Sequence, residues 1–218
     1  MNDFDHPIFS ESVRRIRSWL GETGLSGLER DVLERLVHSG GDLSLAPALR
    51  FSAGACALGA RALACGAPIL TDTAMAAAAV RPMARRTFGN AVASVLDWAP
   101  PLAPAGGTRA AAGMAIALER HPGAVVLIGS APTALELLLE RVAAGGGDNL
   151  PPPALVIGMP VGFVGVLESK RHLAASGLPQ IRLEGSRGGA GLVAATVNAL
   201  LRGAWRQQQS GEEVGGRS

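Results

Sequence analysis

Tyrosine is absent from this chain, and all aromatic residues together make up 4% of it. Base-stacking platforms need aromatic faces, so a reader of single-stranded nucleic acid is a poor fit. Charged residues are also scarce, at 17%, and the net charge is only +2. No strong field therefore exists to draw in nucleic acid or an anionic membrane. The two cysteines, Cys56 and Cys65, lie in an Ala-rich stretch with helical composition, which places them on opposite faces and unable to bridge. No CxxC spacing occurs and the four histidines are scattered, so a zinc site, or any other metal site, is not expected. The longest apolar runs are interrupted by Arg61, Asp72, Pro132 or Glu136 and fall short of the roughly 20 apolar residues of a membrane helix. The start, MNDFDHPIF, has neither a basic segment nor an apolar stretch of signal-peptide type. A cytoplasmic soluble protein is expected, with no nucleic-acid or membrane partner.

What is abundant is apolar. Hydrophobic residues are 48% of 218, enough for a sizeable core without disulfides or a structural metal. Residues 8–38 have a helical pattern in two pieces, broken at Gly21–Gly24 and stopped by Ser39-Gly40-Gly41. A small-residue helix is expected over 52–66. Short apolar runs then recur at 67–72, 91–96, 124–129, 153–159 and 179–184. Helical stretches alternate with them at 73–84, 107–120, 132–144, 166–176 and 188–205. This rhythm predicts an α/β fold with a five-stranded, doubly wound parallel sheet covered on both faces. We expect one domain over 1–206, with 1–50 as a helical extension. Residues 145–153 are expected to be a loop, and 207–218 a disordered tail.

In such sheets ligands bind at the carboxyl ends of the strands, where this chain is rich in turn residues. Gly129-Ser130-Ala131-Pro132-Thr133 leads into a helix that Ser130 or Thr133 could cap. It is equally an anion site, with free N–H groups at a helix start, or an ordinary strand–helix turn. The glycines of 158–165 are wrongly spaced for a dinucleotide fingerprint, and no GxxxxGK[ST] exists. Gly185-Ser186-Arg187-Gly188-Gly189 also opens a helix, where Arg187 and free N–H groups suit a carboxylate, and paired glycines let a ligand approach the backbone. Lys170 by itself is a solvated surface lysine more often than an anchor. His38 ends a helix, where histidine commonly complements the dipole, yet it is also the residue type best suited to proton transfer near neutral pH. Arg35 lies one turn earlier on the same face. Together the turns suit a large ligand bearing many carboxylates or phosphates.

Seven segments, in order, carry a resemblance to a known family. They are SVRRIR (12–17), RLVHSGGD (35–42), GAPILTDTAMAAAAV (66–80), TRAAAGM (108–114), LIGSAPTALELL (127–138), PALVIGMPVGFVGVLESK (153–170) and GSRGGAGLVAATVNAL (185–200). Over roughly Ser12 to Leu201 the chain resembles the precorrin-8X methylmutases, including those acting on cobalt-precorrin-8. The resemblance implies a three-layer flavodoxin-like sheet in 2-1-3-4-5 order and a homodimer with active sites near the interface. It implies an isomerase of corrin (vitamin B12) biosynthesis that moves a methyl group from C-11 to C-12 of the macrocycle, giving hydrogenobyrinic or cobyrinic acid. No methyl donor or other cofactor is needed.

His38 matches the family's catalytic histidine, as proton donor to a ring nitrogen or to the forming product. Ser12, Arg17, Arg35, Arg109, Lys170 and Arg187 match positions that hold the acetate and propionate arms. Ser39, Asp72, Gly129, Ser130, Thr133, Gly162, Gly188 and Gly189 belong to the same implied substrate site. Met75, Val161 and Phe163 either pack on the macrocycle or fill the core. The chain departs from the family's pattern at Ser39, usually threonine, at Ser130, usually asparagine, and over 81–90, with Arg85 and Arg86 as extra charges. These departures leave a second expectation, a non-catalytic corrinoid-binding or carrier protein using the same pocket. A flavin-binding protein on the same fold is disfavoured by the shortage of aromatics.

Overall fold

The structure is a computed structural model that describes residues 6–145 and 151–215. Two helices come first, α1 (Pro7–Leu20) and α2 (Gly27–Gly40). Pro7 sits in the first turn of α1, where its missing N–H costs nothing, and the His6 ring accepts from the Ile8 N–H. Gly41 takes the left-handed conformation (φ 62°) and its N–H closes α2 on the Val37 carbonyl, as the glycine run predicts. A 3-10 turn (Leu43–Ala48) leads to β1 (Leu49–Phe51) and α3 (Ala55–Ala64). Then come β2 (Ile69–Thr71), α4 (Ala74–Arg86), β3 (Val92–Ser94), a second 3-10 turn (Val95–Trp98) and α5 (Arg109–Arg120). The chain ends with β4 (Val125–Ile128), α6 (Pro132–Ala143), β5 (Leu155–Gly158), α7 (Val166–Ala175), β6 (Gln180–Leu183) and α8 (Ala190–Gly215).

The five expected strands are all present and parallel, in spatial order β3-β2-β4-β5-β6. Counted from the first parallel strand, this is the 2-1-3-4-5 order that the resemblance implies. A sixth strand corrects the expectation of five. β1 adds antiparallel to β6, with Leu49 opposite Leu183 and Phe51 opposite Ile181. The helical extension expected over 1–50 therefore finishes inside the sheet. A three-residue strand is too short to show a period, which is why β1 escapes a pattern search. The tail expected to be disordered from residue 207 instead continues α8 as helix to Gly215, and 216–218 lie outside the described residues. So do 146–150 of the expected loop.

Strands buried on both faces split the core in two. Ile69, Val125, Leu127, Leu155, Ile157 and Ile181 face α2, α3, α4 and α8. Leu70, Val126, Ile128 and Val156 face α5, α6 and α7. This is the three-layer α/β arrangement, and α1 packs outside it on α2. Cys56 is buried and Cys65 exposed, and both are free thiols, as their spacing predicts. No helix among the described residues is long and apolar enough to cross a membrane.

Two glycines decide how the carboxyl edge closes. A Cβ on Gly188 would lie 1.9 Å from the Met159 carbonyl oxygen, and one on Gly129 would lie 2.8 Å from the Ala190 nitrogen. Backbone meets backbone here, so the space is taken by the protein itself. Gly188→Ala must push apart two main-chain segments that no rotamer change can relieve. We expect it to cost about 3 kcal/mol or more, measured as a lower urea midpoint at unchanged slope or as loss of soluble protein.

Candidate active site

The site is built from the end of α2 and the turns after β2, β4, β5 and β6. His38 lies in the last turn of α2, half-buried. Its Nδ1 is 2.7 Å from the Ser12 Oγ of α1. The Phe9 ring meets the imidazole edge-on, with centroids 5.0 Å apart. The Arg35 guanidinium lies 4.6 Å from the centre of the same phenyl ring. Burial first, and then the Arg35 charge, hold the His38 pKa below its ordinary 6.5. Both causes disfavour the imidazolium, and Nε2 is the nitrogen that Ser12 does not engage.

Arg17 stands apart from this group, its guanidinium turned to a partner on α2. It makes two bonds, 2.7 and 2.9 Å, to the buried carboxylate of Glu34 on α2, which Arg30 also reaches. A carboxylate already fills its fork. Arg17 thus fastens α1 to α2 and holds Ser12 where it can reach His38.

The expected anion site at Gly129–Thr133 is occupied by the chain's own acid. Asp72 ends β2, and its Oδ2 accepts the N–H groups of Gly129, Ser130 and Ala131 at 3.0, 2.6 and 2.8 Å. Burial raises the Asp72 pKa, while those three bonds pull the other way. Its Oδ1 has no partner among the described residues. Asp72 also does the capping that Ser130 or Thr133 were expected to do, because Ala131 is the cap position. The Ser130 side chain is left exposed, and Thr133 bonds Thr108 across two helix starts at 2.8 Å. Serine in place of asparagine at 130 leaves the bond to Asp72 intact, since that bond uses the backbone.

Glycines expected to admit a ligand are used by the chain. The Gly189 N–H donates to Met159 O at 2.9 Å, the Gly162 N–H to Ser186 O at 3.0 Å, and the Val161 N–H to Gly129 O at 3.2 Å. Gly162 and Gly189 hold φ of 139° and 123°, which side-chain-bearing residues avoid. Three successive strand-end turns are thereby laced into one rim.

Lys170 is a buried residue and not a surface lysine. Its Nζ donates to the carbonyls of Gly185 and Arg187 at 2.6 and 2.7 Å, holding the β6–α8 turn. Arg187 in that turn bonds the Asp42 carboxylate, the Ser44 Oγ and the Ser44 carbonyl. Asp42 and Ser44 follow α2 directly, so Arg187 ties the His38 end of α2 to the rim. Phe9, Asp42 and Ser44 were not singled out from the sequence. The available signal was the Phe9/Ser12 and Arg35/His38 spacing, which puts each pair on one helix face.

Exposed positions complete the surface. Met75, Val161 and Phe163 are 70%, 47% and 91% exposed, which removes core packing as their role. Ser39 is exposed beside His38. Arg109 starts α5, exposed, with Nε donating to Pro100 O at 2.8 Å. Among the described residues no group of three or more His, Cys, Asp or Glu could hold a metal.

The family model for precorrin-8X methylmutase (CbiC) matches residues 7–203. The chain belongs to the precorrin-8X methylmutase family. It is 43% identical to the precorrin-8X methylmutase of Pseudomonas aeruginosa, over 88% of this chain and 93% of that protein. It is 38% identical to the cobalt-precorrin-8 methylmutase of Synechocystis, over 95% of this chain and all of that protein. The solved precorrin-8X methyl mutase of Thermus thermophilus superposes with a TM-score of 0.82 at 41% identity, covering 93% of this chain and 99% of that one.

Within this family member, Lys170 offers a measurable signature. Desolvation lowers its pKa from 10.5 to about 8. Between those values the unfolded chain holds a proton that the folded protein has released, so raising the pH favours folding. The unfolding free energy of the protein, minus that of Lys170→Met, should therefore rise from about pH 8 to 10.5. Urea titrations of both proteins at about pH 7.5 and about pH 9.5 measure it.

Proposed function

We propose that this protein is an isomerase that moves a methyl group from C-11 to C-12 of precorrin-8X or cobalt-precorrin-8, yielding hydrogenobyrinic or cobyrinic acid, with His38 as proton donor. The observation that carries this is the Ser12–His38 pair at 2.7 Å, on the helix end that Arg187 ties to the strand-end rim, in a chain of this family. The methyl leaves one ring carbon and joins its neighbour within a single molecule, so substrate and product have the same composition. Protonation at a ring nitrogen draws electron density through the conjugated system and favours the shift.

The electrostatics suit a donor that charges only when substrate is present. In the free protein, burial and Arg35 disfavour the imidazolium. A carboxylate arm set against Arg35 cancels that charge and adds a negative one, and both changes raise the His38 pKa toward the operating pH. With Nδ1 bonded to the Ser12 hydroxyl, the proton available for transfer is the one on Nε2. Arg35 beside His38 and the exposed Arg109 at the start of α5 are arginines for the arms, while Met75, Val161 and Phe163 supply apolar surface for the macrocycle.

The test is anaerobic incubation with precorrin-8X and, separately, with cobalt-precorrin-8, followed by visible absorbance. Formation of the product chromophore supports the isomerase, and the faster of the two conversions names the substrate. His38→Ala should lower turnover by about 10²-fold or more with an unchanged circular dichroism spectrum. Tight binding of both compounds with conversion of neither would instead support the carrier.

The functional unit in this reading is a homodimer in the cytoplasm. Met75, Leu102, Phe163 and Val164 are 70–91% exposed, in segments that follow the carboxyl ends of the strands. Apolar side chains gathered in this way mark a surface that another molecule covers. Sedimentation velocity should give a dimer, and Phe163→Glu with Val164→Glu should give a monomer.

A further inference from the structure

An imidazole held by one hydrogen bond can still pivot about it. The Ser12 bond sets one distance at Nδ1, and small coupled changes in χ1 and χ2 keep that distance while tilting the ring and redirecting Nε2. A second contact on the ring removes that freedom. Phe9 supplies it, with its ring at 89° to the imidazole and centroids 5.0 Å apart. That is the preferred edge-to-face geometry, in which the electropositive rim of one ring meets the electronegative face of the other.

Phe9 and Ser12 are three residues apart on α1, and Arg35 and His38 are three apart on α2. Each pair therefore lies on one face of its helix, and the two pairs oppose one another. His38 touches both members of the α1 pair. Arg35 reaches Phe9 from the same α2 face, at 4.6 Å from the ring centre. Arg202 of α8 reaches it at 5.2 Å. One half-buried phenyl ring thus joins three helices at the histidine, with cations drawn to its π system. The Arg17–Glu34 pair, beyond Ser12 on α1 and one turn before His38 on α2, holds the helices together independently of Phe9. Loss of the phenyl ring should therefore loosen the histidine without freeing α1.

From this geometry we infer that Phe9 is a positioning residue, which with Ser12 fixes the plane of the His38 imidazole and so aims Nε2 at the substrate. The inference rests on the isomerase reading for its kinetic consequence, though not for its structural one. Proton transfer is steep in geometry, and a misplacement of about 1 Å can cost about 10²-fold in rate.

The experiment compares Phe9→Leu, Phe9→Trp and Ser12→Ala with the unaltered protein, using two readouts. The first is the nitrogen-15 spectrum of the His38 ring at neutral pH, assigned by its loss in His38→Ala. In the unaltered protein the two ring nitrogens should show distinct shifts of one dominant tautomer. In Phe9→Leu a ring that rocks keeps the Ser12 bond less well, so the Nδ1 shift should move toward its value in Ser12→Ala, and Phe9→Trp, which keeps an aromatic ring, should restore it. The second readout is steady-state kinetics on the converted substrate. Phe9→Leu should lower kcat by about 10- to 10²-fold with KM changed by less than about twofold, and Phe9→Trp should recover most of the loss. A Phe9→Leu ring spectrum identical to that of the unaltered protein overturns the inference, whatever the kinetics. A raised KM at unchanged kcat overturns it too, and places Phe9 against the macrocycle. Should the unaltered protein convert neither substrate, the isomerase reading fails while the ring spectra still decide the role of Phe9.

Discussion

A single carboxylate oxygen holds the carboxyl edge of this sheet together. Asp72 Oδ2 accepts three consecutive backbone N–H groups at the start of α6, from a side chain rooted at the end of β2. Those donors are the unpaired amides that every helix start carries. A carboxylate there also meets the favourable end of the helix dipole. Burying an acid is costly, and the raised pKa of Asp72 expresses that cost. The three bonds oppose it, and the turn after β4 is locked to the strand beside it. The helix start is thereby satisfied from within the chain.

The same logic of internal use recurs around the edge. Gly129 and Gly188 lack a Cβ because backbone occupies the place where one would sit. Lys170 gives its hydrogen bonds to two carbonyls of the β6–α8 turn, and Arg187 in that turn gives its own to Asp42 and Ser44. Read in order, these contacts run from α7 through the β6–α8 turn to the segment that follows His38. Lys170 and Arg187, which resemblance associates with substrate arms, also tie the histidine's helix end to the rim. The apolar residues behave in the opposite way. Met75, Val161 and Phe163 are turned out of the core and left for a ligand or a second subunit.

The expected strands and helices were found within a few residues because apolar runs and glycine stops are local signals. β1 was missed because three residues carry no period, and it forms only where β6 offers a free edge. The disordered tail was expected from polar, Gly-rich composition, whereas the chain runs on from the end of a well-packed α8 and stays helical to Gly215. At the site, the sequence pointed to His38 and to the strand-end turns but not to what fills those turns. Whether an N–H-rich turn receives a ligand or a neighbouring aspartate depends on a residue 57 positions away along the chain.

The amino-acid sequence by itself determined the alternation of strands and helices, the burial of the sheet on both faces, the stop of α2 after His38 and, through seven ordered segments, the family. These are properties of neighbouring residues, written in period, turn chemistry and motif. Only the tertiary structure decided that β1 joins the sheet, that Asp72 fills the helix start, that Lys170 is buried, and that Phe9 and Ser12 bracket the His38 ring. Each of those is a contact between residues distant in the chain. Such contacts form from the packing of whole elements, and no spacing within one element specifies them.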